Sequence, residues 1–466
     1  MNKLSIPEFA VLGHPNEGKS SVVSTLTEND QIRVSQVPGE TTVSKTYTVK
    51  IDGKEIIRFV DTPGFQVPRQ TLAWFREYSG DTLLDSFIST FKMDPFFADE
   101  CELMAPVAKG AGIIYVVDGS RPVRADDLAE MEILRLTGRP RMAVINSKTR
   151  EKDYTEQWKQ EFRKHFNVIR VFNSNEADFF ERIRMLESLK AIDQDWEQGI
   201  ERVIQAFKGE WKKRNRLVCA YITHGLEQAV GFSLSRKLTS TGDPIQLRED
   251  LTQAYQKEVK AMEKQMFSRI RSLFRHHLYE YPLPDYSILR QDLFSQQTWE
   301  VLGLSKKQLA AAGAVVGGTM GAMVDTAAAG MTFGVFTAIG SALGAGSALV
   351  GIRKLVRKGR QGKDRIQVGP NENIQFLYVL MDRALLYYAH ITRRPHGRRD
   401  LPGPDAGENI KKLGMSGQLT RVQHQTCARF FKTAQGRSLI QGKKTAPAFA
   451  LLIDSLLVQI SGSMSD

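Results

Sequence analysis

The run Gly13-His14-Pro15-Asn16-Glu17-Gly18-Lys19-Ser20 constrains this chain more than any other stretch. It satisfies G-x4-G-K-[ST], follows a strand-like apolar segment at Phe9–Leu12, and opens a helical pattern at Ser21-Val22-Val23. That strand–loop–helix context is what the motif requires. Glycines let backbone N–H groups turn inward around a β-phosphate, and the helix N-terminus adds a favourable dipole. Lys19 is placed to neutralise β- and γ-phosphate charge and Ser20 to offer its hydroxyl to Mg2+, with Gly13, Asn16, Glu17, Gly18 and Ser21 completing the cradle.

The surrounding pattern agrees. The front third alternates short apolar runs with helical stretches, the sign of a mostly parallel sheet wrapped by helices, hence an α/β domain over 1–190. Strands are expected at Phe9–Leu12, Val43–Ile51, Ile56–Val60, Ile113–Val117, Met142–Ile145 and Val168–Phe172, and helices at 19–27, 125–136, 153–165 and 176–190. The connection 65–109 is long and carries Trp74, Phe75, Phe87, Phe91, Phe96 and Phe97, so it reads as a packed helical insert.

A second motif narrows the class. Ile56–Val60 leads into Asp61-Thr62-Pro63-Gly64, a D-x-x-G at a strand end. Asp61 is placed to hold a Mg2+-bound water and the Gly64 N–H to meet a γ-phosphate, so that loss of that phosphate releases the following loop. Between the motifs lies Pro38-Gly39-Glu40-Thr41-Thr42, where a first switch loop must supply a threonine to Mg2+. Thr42 is favoured, with Thr41 beside it. The metal set is therefore Ser20, Thr42 and Asp61.

On these motifs, residues 7–190 resemble the translation-factor class of P-loop GTPases, most closely the branch of ribosome-assembly and tRNA-modification GTPases. The resemblance implies GTP as substrate and GDP as product, with Mg2+ as cofactor. It also implies that Asn16 helps bind a potassium ion that supplies charge where other GTPases use an arginine finger, so Lys19, Asn16, Thr42 and Gly64 form the catalytic set. The residue after D-x-x-G is Phe65, which cannot polarise water, and Gln66 comes next. Intrinsic hydrolysis should then be slow and depend on a cation, on dimerisation through the GTPase domain, or on another residue. The family's guanine motif N-K-x-D is degenerate here: Asn146-Ser147-Lys148-Thr149 offers Asn146 and Lys148 but a hydroxyl in place of the carboxylate. A hydroxyl is the weaker acceptor, so discrimination against adenine is reduced and ATP use is a third reading. Asn173-Ser174 matches the last base-contacting loop loosely. The runs Asp61–Arg69, Gly110–Arg121 and Glu130–Asn146 further resemble a bacterial family that joins this GTPase to a helical C-terminal domain.

Charge divides the chain in two. Residues 1–190 carry 26 Lys and Arg against 28 Asp and Glu, leaving 38 against 24 of the chain's 64 and 52 for residues 191–466. A neutral front and a basic back imply chemistry in one and an anionic partner for the other. The back half reads as all-α: a helical domain over 191–305, a Gly-rich apolar segment with a basic cluster over 306–365, and a C-terminal helical region over 366–466. Helices are expected at 194–216, 246–278, 372–391 and 445–460. Leu309–Ile352 holds ten glycines and a single formal charge, Asp325, and runs into Arg353, Lys354, Arg357, Lys358, Arg360, Lys363 and Arg365. A helical hairpin turning near Ala329-Gly330 would put both ends on one side, beside those cations, as the positive-inside rule asks. Docking at, or hairpin insertion into, the cytoplasmic face of the inner membrane is the first expectation. A soluble RNA- or ribosome-associated GTPase is the second. Cys101, Cys219 and Cys427 are too scattered for a disulfide framework, which fits a reducing cytoplasm, and no cationic–apolar leader is seen.

Overall fold

The structure is a computed structural model that describes residues 6–27, 43–146, 153–174, 177, 179–239, 243–274, 287–304, 356–358, 364–392, 414–436 and 442–462. Thr41, Thr42, Lys148 and the apolar stretch Leu309–Ile352 lie outside them. The chain divides into two compact units, one holding residues 1–213 with 275–279 and 392–400, the other 214–274, 280–391 and 401–466.

The first unit is built on six strands: β1 (Glu8–Leu12), β2 (Lys45–Ile51), β3 (Lys54–Asp61), β4 (Gly112–Asp118), β5 (Arg141–Asn146) and β6 (Val168–Val171). Their order is β2-β3-β1-β4-β5-β6, with only the β2–β3 pair antiparallel. The central strands are apolar on both faces and fully buried, as a sheet covered on both sides demands. Helices α1 (Lys19–Thr27), α2 (Pro68–Glu77), α3 (Leu83–Phe91), α4 (Ala98–Ala108), α5 (Ala125–Leu136), α6 (Thr155–His165) and α7 (Phe179–Lys190) fill the connections. The α/β domain expected from the sequence is present strand for strand. Because β1, β3, β4 and β5 are parallel, their C-terminal ends gather on one edge of the sheet, where β1 separates neighbours leading in opposite directions.

The 65–109 insert is helical, as its aromatics suggested. It consists of α2, α3, a 3₁₀ turn at Pro95–Phe97, and α4. Phe87 is its hub: fully buried, with Trp74, Phe75, Phe91 and Phe97 within 5.1–5.8 Å between ring centroids, mostly edge to face.

The second unit is largely helical, with α8 (Gln194–Gly231, which the unit boundary crosses), α9 (Pro244–Leu273), α10 (Gln296–Val301), α11 (Gln375–Thr392), α12 (Arg421–Ala434) and α13 (Gly442–Gly462). It is not all-α, which corrects the expectation. Three short strands, β7 (Leu234–Lys237), β8 (Val356–Lys358) and β9 (Asp364–Val368), form an antiparallel sheet in the order β7-β9-β8. Part of the basic cluster after Arg353 is thus strand. Inside this unit Arg383 meets Glu263 at 2.6 and 3.0 Å, both buried, and also donates to the carbonyls of Ile288, Leu289 and Gln291. No helix among the described residues is long and apolar enough to cross a membrane.

Because Phe87 is fully buried and joins α2, α3 and the 3₁₀ turn, Phe87→Ala should cost about 3 kcal/mol or more. Denaturant unfolding followed by intrinsic tryptophan fluorescence, to which Trp74 contributes among five tryptophans, would measure it.

Candidate nucleotide-binding site

The loop between β1 and α1 is shaped by its backbone. Gly13 (φ +142°), Asn16 (φ +67°) and Gly18 (φ +94°) adopt conformations that L side chains rarely hold, asparagine being among the most tolerant. A Cβ on Gly13 would lie 2.2 Å from the Val116 carbonyl of β4, so glycine is required for space as well as for φ. Lys19 folds back over the loop, its Nζ donating to the carbonyls of Gly13 (3.1 Å) and His14 (3.0 Å).

The two motifs converge. Ser20 Oγ donates to Asp61 Oδ2 at 2.7 Å across 41 residues of sequence. Asp61 Oδ1 is buried with no hydrogen-bond partner among the described residues. Burial is the main influence on this carboxyl and raises its pKa, against the pull of Ser20, Lys19 and Lys45. A serine hydroxyl beside a carboxylate with one oxygen unspent is a hard-oxygen donor set that fits a divalent cation such as Mg2+. Gly64 packs directly on the phosphate loop: a Cβ there would come within 2.5 Å of Pro15 N and Cδ. Phe65 is fully buried and its N–H points to the Gly13 carbonyl at 3.4 Å.

The base side is partly described. Asn146 Nδ2 donates to the Glu17 carbonyl (3.1 Å), while its Oδ1 accepts from Ser174 N (3.2 Å) and Ser174 Oγ (3.1 Å). Asn146 therefore ties the β5 end and the 173–174 loop to the phosphate loop. Asp153 accepts from Thr155 N at 2.8 Å, so its carboxylate serves the start of α6.

Sequence reasoning missed what lies beneath the loop. Glu17 turns its side chain inward, accepting from Asp118 N and from Arg121 Nε (2.7 Å). Arg121 continues bidentately to Asp127 (2.7 and 2.8 Å) and lies over Trp158, 5.1 Å from the ring centroid. Burial opposes the Arg121 charge, but the carboxylates of Asp127 and Glu17 more than offset it and raise its pKa. His14 Nδ1 meets Glu130 Oε1 at 3.0 Å, and the other oxygen accepts from Tyr115 OH at 2.9 Å. Arg121 and Glu130 do fall at the edges of runs singled out in the sequence, the one signal that could have drawn attention to them.

In the His14–Glu130 pair both groups have raised pKa values. Glu130 is fully buried, and burial pushes its carboxyl up to about 7, with the hydrogen bond from His14 pulling the other way. The same bond raises His14, against the effect of its own burial. Both shifts have one sign: the folded protein holds a proton that the unfolded chain releases at lower pH. For Glu130 the contribution is therefore complete below the ordinary carboxylate value of 4.5 and is lost as pH rises through about 7, and His14 acts in the same direction. Glu130→Gln should gain in melting temperature relative to wild type as the buffer goes from about pH 5 to about pH 8. A difference that stays constant across that range would mean the pair does not titrate.

Comparison with known proteins agrees with this geometry. Residues 8–147 match the family described as 50S ribosome-binding GTPase, and residues 159–456 match the family described as domain of unknown function DUF3482. The GTPase Der of Pseudothermotoga lettingae is 29% identical over 160 residues, 33% of this chain and 31% of that protein. The probable GTP-binding protein EngB of Syntrophus aciditrophicus is 31% identical over 142 residues, 30% of this chain and 61% of that protein. The matched region thus spans less than two thirds of either relative. Among solved structures, Era in complex with MgGDPNP and nucleotides 1506–1542 of 16S ribosomal RNA aligns at 13% identity over 59% of this chain and 90% of that one, with a TM-score of 0.28, too slight a likeness to bear on the fold. The chain belongs to the DUF3482 family, whose domain here follows a translation-factor-class P-loop GTPase.

Proposed function

We propose that this GTPase is a switch that docks on the cytoplasmic face of the inner membrane through its basic C-terminal portion. The observation that carries the reading is the adjacency of Leu309–Ile352, with one formal charge, to the seven cations between Arg353 and Arg365. An apolar segment flanked by Lys and Arg gains from both hydrocarbon burial and the negative surface potential of the cytoplasmic leaflet. In the GTPase unit, Lys19 would hold the phosphate charge and Gly64, seated against Pro15, would report the γ-phosphate. Ser20 and Asp61, with Thr42, would hold Mg2+, which when bound screens negative charge on the phosphate oxygens. Phe65, fully buried, keeps an apolar group where a water-orienting glutamine would otherwise stand.

Asn16 supports a second charge source. It occupies a left-handed position in the phosphate loop, and the resemblance assigns an asparagine there to potassium. Turnover should be faster in KCl than in NaCl at equal ionic strength; equal rates would remove the ion from the mechanism. Dimerisation through the GTPase domain is the other route to hydrolysis, and a turnover number that rises with protein concentration would reveal it.

A second reading, an RNA- or ribosome-associated GTPase, is favoured by the match of residues 8–147 to the 50S ribosome-binding family and by the net excess of 14 positive charges, 38 against 24, over residues 191–466. Flotation with anionic liposomes separates the two. Flotation that survives high salt and disappears when Leu309–Ile352 is deleted is the expected result. Salt-sensitive flotation indifferent to the deletion would reduce the membrane role to surface electrostatics. Absence of flotation, with salt-dependent co-sedimentation on 50S subunits, would replace it with the ribosomal reading.

A further inference from the structure

The insert does more than fill space. Its last helix, α4, places two glutamates on the chain segments that flank the nucleotide site. Glu100 is fully buried, and its Oε1 accepts from Gln66 N at 2.7 Å and Val67 N at 2.6 Å. Those are the second and third residues after Gly64. Glu102 Oε1 accepts from Ser44 N at 2.8 Å, and its carbonyl accepts from Ser44 Oγ at 3.1 Å, at the entry to β2. Glu100 Oε2 is buried with no partner among the described residues, so this carboxylate is buried for the sake of two backbone amides. Burial raises its pKa and the amides of Val67 and Gln66 lower it.

A carboxylate in that position costs desolvation and returns a fixed backbone. Val67 caps α2, whose first turn has no acidic residue of its own, so Glu100 also supplies the negative charge that a helix N-terminus favours. The segment it fixes is held from both ends. On one side Gly64 abuts Pro15 and Phe65 N points to the Gly13 carbonyl; on the other, Gln66 and Val67 hang on Glu100.

We propose that Glu100 is a positioning residue for GTP hydrolysis: from the inserted helix it latches the backbone after D-T-P-G so that Gly64 stays against the phosphate loop, where a γ-phosphate is sensed. Glu102 serves the same end by fixing Ser44, two residues beyond Thr42. Since GDP lacks the γ-phosphate, the latch bears on GTP and leaves GDP binding alone.

The test compares nucleotides as well as variants. Glu100→Ala should weaken binding of a non-hydrolysable GTP analogue about tenfold and lower kcat by a similar factor, the loss expected from charge-assisted hydrogen bonds, with GDP affinity unchanged. Glu100→Gln keeps an oxygen able to accept from both amides and should restore the preference for the GTP analogue. Equal weakening of both nucleotides, or a lowered melting temperature with neither affinity changed, would make Glu100 a helix cap and overturn the proposal. Should Glu100→Ala not fold, hydrogen exchange on the wild-type protein decides. The Gln66 and Val67 amides should be better protected with the GTP analogue than with GDP, and equal protection overturns the proposal.

Discussion

The site rests on carboxylates buried beneath the phosphate loop. A loop that binds anions must point its N–H groups at the ligand, which leaves its side chains to be placed elsewhere. Here His14 and Glu17 both turn inward. One meets Glu130 on α5, and the other meets Arg121, which Asp127 at the start of α5 grips with two hydrogen bonds. Truncating either side of such a buried pair strands a charge, so these contacts hold the loop open more firmly than exposed ion pairs could. The glycines permit the loop's path, and the buried polar contacts select it.

This division explains what could be read from sequence. Gly13, Gly18, Lys19, Ser20, Asp61 and Gly64 were legible because each answers a local demand: a φ, a close approach, a charge or a hydroxyl at fixed spacing. Asn146 was legible as a strand-end polar residue, and in the fold it bonds to the Glu17 carbonyl and to Ser174. Glu130 and Glu100 were not, since nothing local marks a buried glutamate. His14 and Glu130 are 116 residues apart, Gln66 and Glu100 34, and only the folded chain makes partners of them. On the surface of their helices both would read as solvated charges.

In the second unit the errors have a different origin. The sequences LSRK and VRK carry one apolar residue each, too little for the alternation by which strands are recognised; DRIQV does alternate Ile366 and Val368 with polar residues, but it is short and continues a basic run. Short α10 and polar α12 escaped the periodicity reading, whereas α9, with apolar residues at helical spacing throughout, was placed to within a few residues. The longest helix among the described residues, α8, runs on to Gly231, past the expected end near 216, because no glycine or proline follows Arg216 until Gly225. Gly225 stays helical where a Cβ would lie 2.9 Å from Met266 Sδ, so close helix packing accounts for that glycine.

The two halves of the chain therefore differ in how function is encoded. Hydrolysis depends on atoms fixed to fractions of an ångström, and the structure meets that demand by burying polar groups at a cost in desolvation: Asp61, Glu17, Glu100 and Glu130 are each no more than 4% exposed. Attachment to a polyanion needs only density of charge. In the attachment proposed here each cation would add an increment that depends little on its exact placement, a demand that pairs and runs of Lys and Arg can meet. A switch of the kind proposed would have to convert an event at Gly64 into a change at a diffuse surface. The segment placed to begin that conversion is the 65–109 insert, since it starts at the residue after Gly64 and its final helix returns to hold that same backbone through Glu100. Loss of the γ-phosphate would thus be felt by a packed aromatic body, and a packed body transmits displacement where a solvated loop would absorb it.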